Sequence, residues 1–383
     1  MKALFFLVAV LPFLFMAGPA AAFESRARAV HVIDMSTGQT LLSKEADTPL
    51  PPASMSKLMT LNMLFEALKD GRVTMDTTFR VSKRAAAMGG STMFLREGER
   101  VAVRDLIPGI IVNSGNDACV TVAEGLAGTE ENFARLMNER ARAIGLEHSS
   151  FVNASGWPDP GQRMSMRDLV TLAERLITEF PEYYPYFAIR KFAYKGRAPA
   201  NARNRNPLLW IDGLGADGLK TGHTQESGYG LVGSARQGER RIVFAMTGLP
   251  SARARAEEGE RILSWGFRQF LLKDVLAPDT PLSELDVALG AASAVPVGVS
   301  EKLRLLVPAT VRDKITVRIR HKAPLIAPLR KGDVVGTLIV EVPGLEPVTR
   351  PLVALEDVPE GGLLVRLGAA ARILLRRALA AAG

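Results

Sequence analysis

A single cysteine, Cys119, among 383 residues leaves no partner for a disulfide within the chain, although the N-terminus points to an oxidising destination. Its neighbours Ala118, Val120 and Val122 make it a buried structural thiol rather than a nucleophile. Histidine is scarce too. His31, His148, His223 and His321 are scattered without ligand spacing, so no metal site is expected. The apolar run Ala3 to Ala17 is short of the ~20 residues a membrane-spanning helix needs. With Lys2 before it and Ala20-Ala21-Ala22 after it, it reads as a signal peptide over 1–22, cleaved before Phe23. Export removes cytosolic cofactors such as ATP and NAD, and none is expected. It also turns the formal net charge of +8 away from nucleic acid and towards an anionic envelope, acidic lipid headgroups or an acidic polymer.

What is present centres on residues 51–60. Pro51 and Pro52 stop regular structure, and a helix then runs through Leu58, Met59, Leu61, Met63, Leu64, Phe65 and Leu68 to Gly71. It is apolar on nearly every face, as a helix in the middle of a domain is. Ser54 in its first turn and Lys57 three residues on share a face, with Cβ atoms roughly 5–6 Å apart. A serine becomes a nucleophile when a base takes its proton, and a lysine is a base only when neutral. At an ordinary pKa of about 10.4, roughly one lysine in 2,500 is neutral at pH 7. Lowering that pKa to 7 costs about 4.6 kcal/mol, so burial and a second cation should be aimed at the site.

Along the chain, Arg28 to Leu42 reads as a β-hairpin and Phe79 to Val81 as a short strand. Ala85 to Ser91, with Gly89-Gly90, is a small-residue rim. Helices are expected over Val103–Ile111, Ala118–Leu126, Glu130–Ile144, Leu169–Thr178 (with Ser165 and Asp168 as a capping box) and Glu257–Phe270. Gly230–Ala235 and Arg241–Met246 form a strand pair turning at Gln237-Gly238. From Leu282 to Ala354 only short alternating apolar segments appear, at Leu303–Val307, Ile315–Ile319, Val334–Val342 and Val348–Val353, which predicts a small all-β domain. The last segment, 359–383, places Leu364, Leu367, Ala371, Leu374, Leu375 and Ala378 opposite Arg366, Arg372, Arg376 and Arg377. A basic amphipathic helix of this kind lies in a bilayer interface.

The second cation is present in the sequence as Lys220-Thr221-Gly222-His223. Ser114-Gly115-Asn116 offers a hydroxyl and an amide in a tight turn between two apolar helices. Serine–lysine pair, Ser-x-Asn turn and Lys-Thr-Gly strand follow in one chain order at 54, 114 and 220. On these motifs the chain resembles the penicillin-recognising serine acyl-transferases. More narrowly it resembles the low-molecular-mass penicillin-binding proteins that are D-alanyl-D-alanine carboxypeptidases. The resemblance is carried by Pro52-Ala-Ser-Met-Ser-Lys57, Asn113-Ser-Gly-Asn-Asp-Ala118, Asn204-Arg-Asn206, Leu208-Leu-Trp210, Asp217-Gly-Leu-Lys-Thr-Gly-His-Thr224 and Trp265-Gly-Phe267. One departure is a shorter Ala85–Ser91 rim.

The resemblance implies an α/β (α+β) transpeptidase/β-lactamase-like domain over 23–275, an antiparallel sheet flanked by helices. An all-β stalk over 276–358 and the membrane-associating helix 359–383 complete it, on the periplasmic face of the cytoplasmic membrane. It also implies roles. Ser54 attacks the penultimate D-alanine carbonyl of a stem peptide ending in D-Ala-D-Ala, Lys57 takes its proton, and Ser114 relays one to the leaving D-alanine. Asn116 holds the substrate amide. Lys220, Thr221 and Gly222 orient the network and the terminal carboxylate. The N–H groups of Ser54 and His223 form the oxyanion hole. Arg255, with Arg253 near it in type and spacing, grips the carboxylate, and Arg205 is a further cation for it. β-Lactams are implied as acylating inhibitors. A D-alanyl endopeptidase, a β-lactamase and a non-catalytic wall-binding scaffold are the alternatives. The stalk and the absence of a Glu-x-x-x-Asn loop in Phe151–Gln162 stand against the β-lactamase.

Overall fold

The computed structural model describes residues 23–197, 199–308 and 314–362. The expected signal over 1–22 and nearly all of the amphipathic segment, from 363 on, lie outside the described residues.

The chain opens with the hairpin β1 (Ala29–Asp34) and β2 (Gln39–Lys44). A 3₁₀ turn, Ala53–Ser56, runs into α1 (Lys57–Lys69), whose residues are buried from Lys57 to Asn62 without a break. β3 (Thr78–Arg80), the single turn α2 (Lys83–Ala86) and β4 (Arg100–Ala102) edge the domain. A helical layer follows: α3 (Val103–Ile111), α4 (Asn116–Ala127), α5 (Glu130–Ala143) and α6 (Met166–Glu179). Ser165 caps α6, accepting from the Asp168 N–H at 3.1 Å, as the capping box predicts. Then come the meander β5 (Ala216–Thr224), β6 (Gly228–Gln237) and β7 (Arg240–Leu249), and α7 (Ala252–Arg268).

The five strands form one antiparallel sheet in the order β2-β1-β7-β6-β5. The N-terminal hairpin therefore docks on β7, and β5, which carries Lys220, is left at the edge. All six residues of β1 are buried because both faces of the sheet are covered. Ala29 and Ile33 join the core under α1, α3, α4 and α6. Val30 and Val32, pointing the other way, join the core under α7.

α7 starts at Ala252, five residues before the expected Glu257. Ser251 caps it, accepting from the Ala254 N–H at 3.0 Å. The alternation of Ala and Arg over 252–256 hid the start, because it carries no apolar period. The helix also ends earlier, at Arg268, and Phe270, its expected last residue, opens β8 (Phe270–Leu276).

β9 (Ser283–Ala288), β10 (Ala294–Gly298), β11 (Leu303–Pro308), β12 (Thr316–His321), β13 (Leu325–Ile326), β14 (Val334–Glu341) and β15 (Val348–Ala354) build the second domain. Six of them order as β12-β14-β15-β10-β9-β13, while β8 pairs with β11. This is the expected all-β domain, with β9, β10 and β13 added to the four segments legible in the sequence. The domains are joined through Gln39, whose amide donates to the Leu306 carbonyl at 3.0 Å and accepts from its N–H.

Candidate active site

The Ala53–Ser56 turn that carries Ser54 is wedged between two backbones. A Cβ on Gly156 would stand 1.9 Å from the Ala53 carbonyl oxygen, and one on Gly222 would stand 2.9 Å from that of Pro52. Only glycine lets the 156 loop and β5 approach so closely. Ala53 itself has φ +48°, a left-handed setting that costs about 1–3 kcal/mol and survives where the surroundings enforce it. The α-helix starts only after this residue, so Ser54 sits on a 3₁₀ turn and not in the first turn of α1. Side chains at i and i+3 eclipse in a 3₁₀ turn, which sets Lys57 directly over Ser54.

Lys57 is fully buried. Its Nζ donates to Ser54 Oγ at 2.9 Å, Asn116 Oδ1 at 2.7 Å and the Ser155 carbonyl at 2.6 Å. Burial pulls its pKa down to about 8, with the Arg205 charge adding to the fall. At that value about one lysine in ten is neutral at pH 7. Lys220, also buried, donates from Nζ to Ser114 Oγ at 3.0 Å and to the Thr221 carbonyl at 3.1 Å. Burial and then the Lys57 charge push it well below the ordinary lysine range. The charge that lowers Lys57 is thus that of Arg205 and not of Lys220, and desolvation does more than repulsion to unload both amines.

Ser114 takes φ +57° in the turn between α3 and α4. Asn113 beneath it donates to the carbonyls of Phe192 at 3.0 Å and Asn201 at 2.8 Å. Asn116 opens α4. Its backbone N–H reaches the Ser91 carbonyl and its Nδ2 the Gly89 carbonyl, both at 2.8 Å. The rim is therefore tied to the same amide that faces Lys57. Three further contributors were not picked out from sequence. Asp117 holds the rim, accepting from the N–H groups of Met93 and Leu95 at 3.0 Å, and burial raises its pKa. Asn153 Oδ1 gathers the N–H groups of Ser155, Gly156 and Trp157. Gln162 donates to Ser56 Oγ at 2.6 Å. An acid buried beside Asn116 in an apolar stretch was the available signal, since such a charge needs partners.

Thr221, Gly222 and His223 lie along edge strand β5, and the His223 ring lies against Tyr229, tilted by 31° with centroids 3.9 Å apart. Arg255 is 7% exposed. It donates to the Arg205 carbonyl at 3.2 Å, while its Nε has no partner. Burial brings its pKa down to about 10. Arg205 reaches Ser91 Oγ at 2.9 Å and Asn201 Oδ1. A groove of about 570 Å³ opens over Ser54, lined by Ser54, Asn116, Ser155, Trp157 and His223 among others, while Ser114, Thr221, Arg205 and Arg255 are not part of its lining. Neither lysine lines it, which keeps both amines dry. Cys119 is fully buried and its thiol is pushed up to about 12 by burial, a structural thiol. Among the described residues no group of three or more His, Cys, Asp or Glu could hold a metal ion.

Residues 16–250 match the family model described as D-alanyl-D-alanine carboxypeptidase, and residues 270–360 match the C-terminal domain of penicillin-binding protein 5. The chain belongs to the D-alanyl-D-alanine carboxypeptidase family. It is 38% identical to the D-alanyl-D-alanine carboxypeptidase DacC of Escherichia coli over 89% of this chain and 86% of that one. It is 34% identical to DacA of the same organism over 88% and 84%. Penicillin-binding protein 5 from Haemophilus influenzae superposes with a TM-score of 0.76 at 31% identity, covering 88% of this chain and 98% of that one. Penicillin-binding protein D2 from Listeria monocytogenes, solved in an ampicillin-bound form, superposes at 0.57 and 29% identity, over 63% and 98%. The protein is a penicillin-binding serine hydrolase of the cell wall, a D-alanyl-D-alanine carboxypeptidase with the two-domain architecture of penicillin-binding protein 5.

Proposed function

We propose that this enzyme trims the terminal D-alanine from peptidoglycan pentapeptide stems through an ester on Ser54. The observation that carries this is the 2.9 Å contact of a dry lysine amine with the Ser54 hydroxyl. Neutral Lys57 takes the hydroxyl proton as Oγ attacks the penultimate D-alanine carbonyl. The N–H groups of Ser54 and His223 receive the oxyanion, a term worth about 3–4 kcal/mol per donor. Ser114, poised by Lys220, returns a proton to the departing amine. Asn116 keeps one amide hydrogen for the substrate while the other stays on Gly89. Lys220, Thr221 and Gly222 flank the terminal carboxylate. The unpartnered Arg255 Nε supports that arginine as its main anchor, with Arg205 beside it. Water then cleaves the ester. β-Lactams enter the same path and stay on the serine. In the test, the soluble form 23–358 is incubated with benzylpenicillin, and intact mass is followed by peptide mapping. A stable adduct on the Ser54 peptide is expected. Turnover of penicillin without an adduct would favour the β-lactamase reading.

The domain at 23–275 is proposed to be held at the periplasmic face of the cytoplasmic membrane by the basic amphipathic stretch 359–383, with 276–358 as the stalk between them. Among the described residues no helix is long and apolar enough to cross a membrane. Deleting 360–383 is expected to move the protein from the membrane pellet to the supernatant. A truncated protein that still pellets ends the anchor proposal.

A further inference from the structure

A second cavity, of about 680 Å³, borders the active-site groove, shares Gly90 and Ser91 with it and is walled by Phe94, Arg96, Arg197 and Arg205. Small-molecule sites have volumes of about 300–1,000 Å³. No carboxylate lines this cavity. Of the three wall arginines, only Arg197 has a carboxylate partner among the described residues, Glu99 at 2.7 Å, and Lys195 shares that partner. Arg205 bonds the neutral oxygens of Ser91 and Asn201. With Lys195 counted, four cations meet one acid, an excess of three. A doubly charged anion answers that excess better than a single carboxylate does, and guanidinium forks take phosphate oxygens in pairs.

The apolar part of the wall is equally built. Phe94 is 61% exposed and has φ +57°. It is clamped there from both sides, because the Asp117 carboxylate takes the N–H groups of Met93 and Leu95. A phenylalanine held left-handed and in the open is the kind of strain that gathers at ligand clamps.

Arg205 lines this cavity and not the groove, yet its charge reaches the catalytic base. Besides burial, Cys119 and Asp117 from α4 act to raise the Lys57 pKa and Arg205 acts to lower it. Lys220 on β5 is lowered by burial, by Lys57 and by Arg205. An anion on Arg205 would cancel part of a charge that helps to keep Lys57 neutral.

We propose that the cavity binds the phosphate group of an organic phosphate and that its occupation slows acylation of Ser54. The phosphate dianion takes the guanidinium groups of Arg96, Arg197 and Arg205, and the organic part lies over Phe94. Lys57 then keeps its proton to higher pH, so fewer amines are neutral at pH 7, and the loss fades at alkaline pH. This coupling rests on the reading of Lys57 as the base.

The test uses the full chain, with phenyl phosphate as the probe and sodium chloride at matched ionic strength as the control. Titration calorimetry should show phenyl phosphate binding to the wild type. Arg96→Gln should weaken it by about tenfold or more, the scale of one lost charge contact. Ala200→Trp, which fills the cavity from another wall, should weaken it as well. Saturating probe should slow benzylpenicillin acylation by about threefold at pH 7 and by less than about twofold at pH 9.5, the effect of a partly screened charge. Neither variant should respond, and without the probe both should acylate as the wild type does. Vesicles of phosphatidylcholine with phosphatidate, used in place of the probe, identify the source. Slowing by vesicles assigns a lipid headgroup, and slowing by phenyl phosphate alone assigns a soluble ester. The absence of binding overturns the inference alone. So does a slowing that chloride reproduces, that is equal at both pH values as competition for the groove would give, or that survives in both variants. Failure of the folded enzyme to acylate without the probe overturns the acyl-serine reading and the coupling with it, while calorimetry still decides the binding.

Discussion

Replacing Ser54 by alanine is expected to lower D-alanine release by about 10⁴-fold or more and to abolish the penicillin adduct, with thermal unfolding almost unchanged. The Ser54 side chain lines the open groove and its hydroxyl meets one protein group, Lys57. Lys57 keeps Asn116 and Ser155 when that hydroxyl is removed. Little packing is lost, while the hydroxyl proposed to carry the ester disappears. Residues that act as one unit fail together, so a missing nucleophile removes nearly all of the chemical advantage and leaves only binding and the oxyanion site. The checks are D-alanine release, intact mass after benzylpenicillin and a melting curve on both proteins. A variant within about tenfold of wild type, or one still acylated, refutes Ser54 as the nucleophile and returns the scaffold reading to consideration.

The second large effect is in pH. In the proposed mechanism Lys57 must be neutral to take the Ser54 proton, and burial lowers its pKa from 10.5 to about 8. The reactive form is therefore lost as pH falls through 8. The benzylpenicillin acylation rate constant is expected to rise about tenfold from pH 6 to 7 and to level off above about pH 8. With an ordinary lysine the rise would run on beyond pH 10. Lys57→Arg should remove acylation by about 10³-fold or more at every pH in this range, because a guanidinium keeps its proton. Stopped-flow or quenched acylation over pH 5.5–9.5 decides it. A flat profile, or an active arginine variant, would mean that the base is another group.

How much of this site was legible depended on the range of each contact. Ser54 and Lys57 are three residues apart, so local geometry pairs them whatever surrounds them, and their spacing is written in the chain. The motifs at 114 and 220 were legible as residue types, but their meeting was not. Lys220 reaches Ser114 across 106 positions and Lys57 reaches the Ser155 carbonyl across 98. The choice between Arg253 and Arg255 was open in the sequence because the start of α7 was hidden. With the helix beginning at Ala252, the two point to opposite faces, since positions two apart in a helix do not share one. Arg253 is 89% exposed and pairs with Glu257, while Arg255 is buried beside Arg205.

By itself, the sequence determined the spacing of Ser54 and Lys57, the two-domain order, the all-β character of the second domain and the family. These rest on local spacing, on apolar periodicity and on motif order, all of which survive in one dimension. The tertiary structure alone decided that β5 is the sheet edge beside the nucleophile turn. It also decided that two glycines let two backbones crowd that turn, that burial unloads both lysines, and that an arginine-lined cavity shares Gly90 and Ser91 with the groove. Burial and electrostatics are sums over everything nearby in space, and residues a hundred positions apart become neighbours only when the chain has folded.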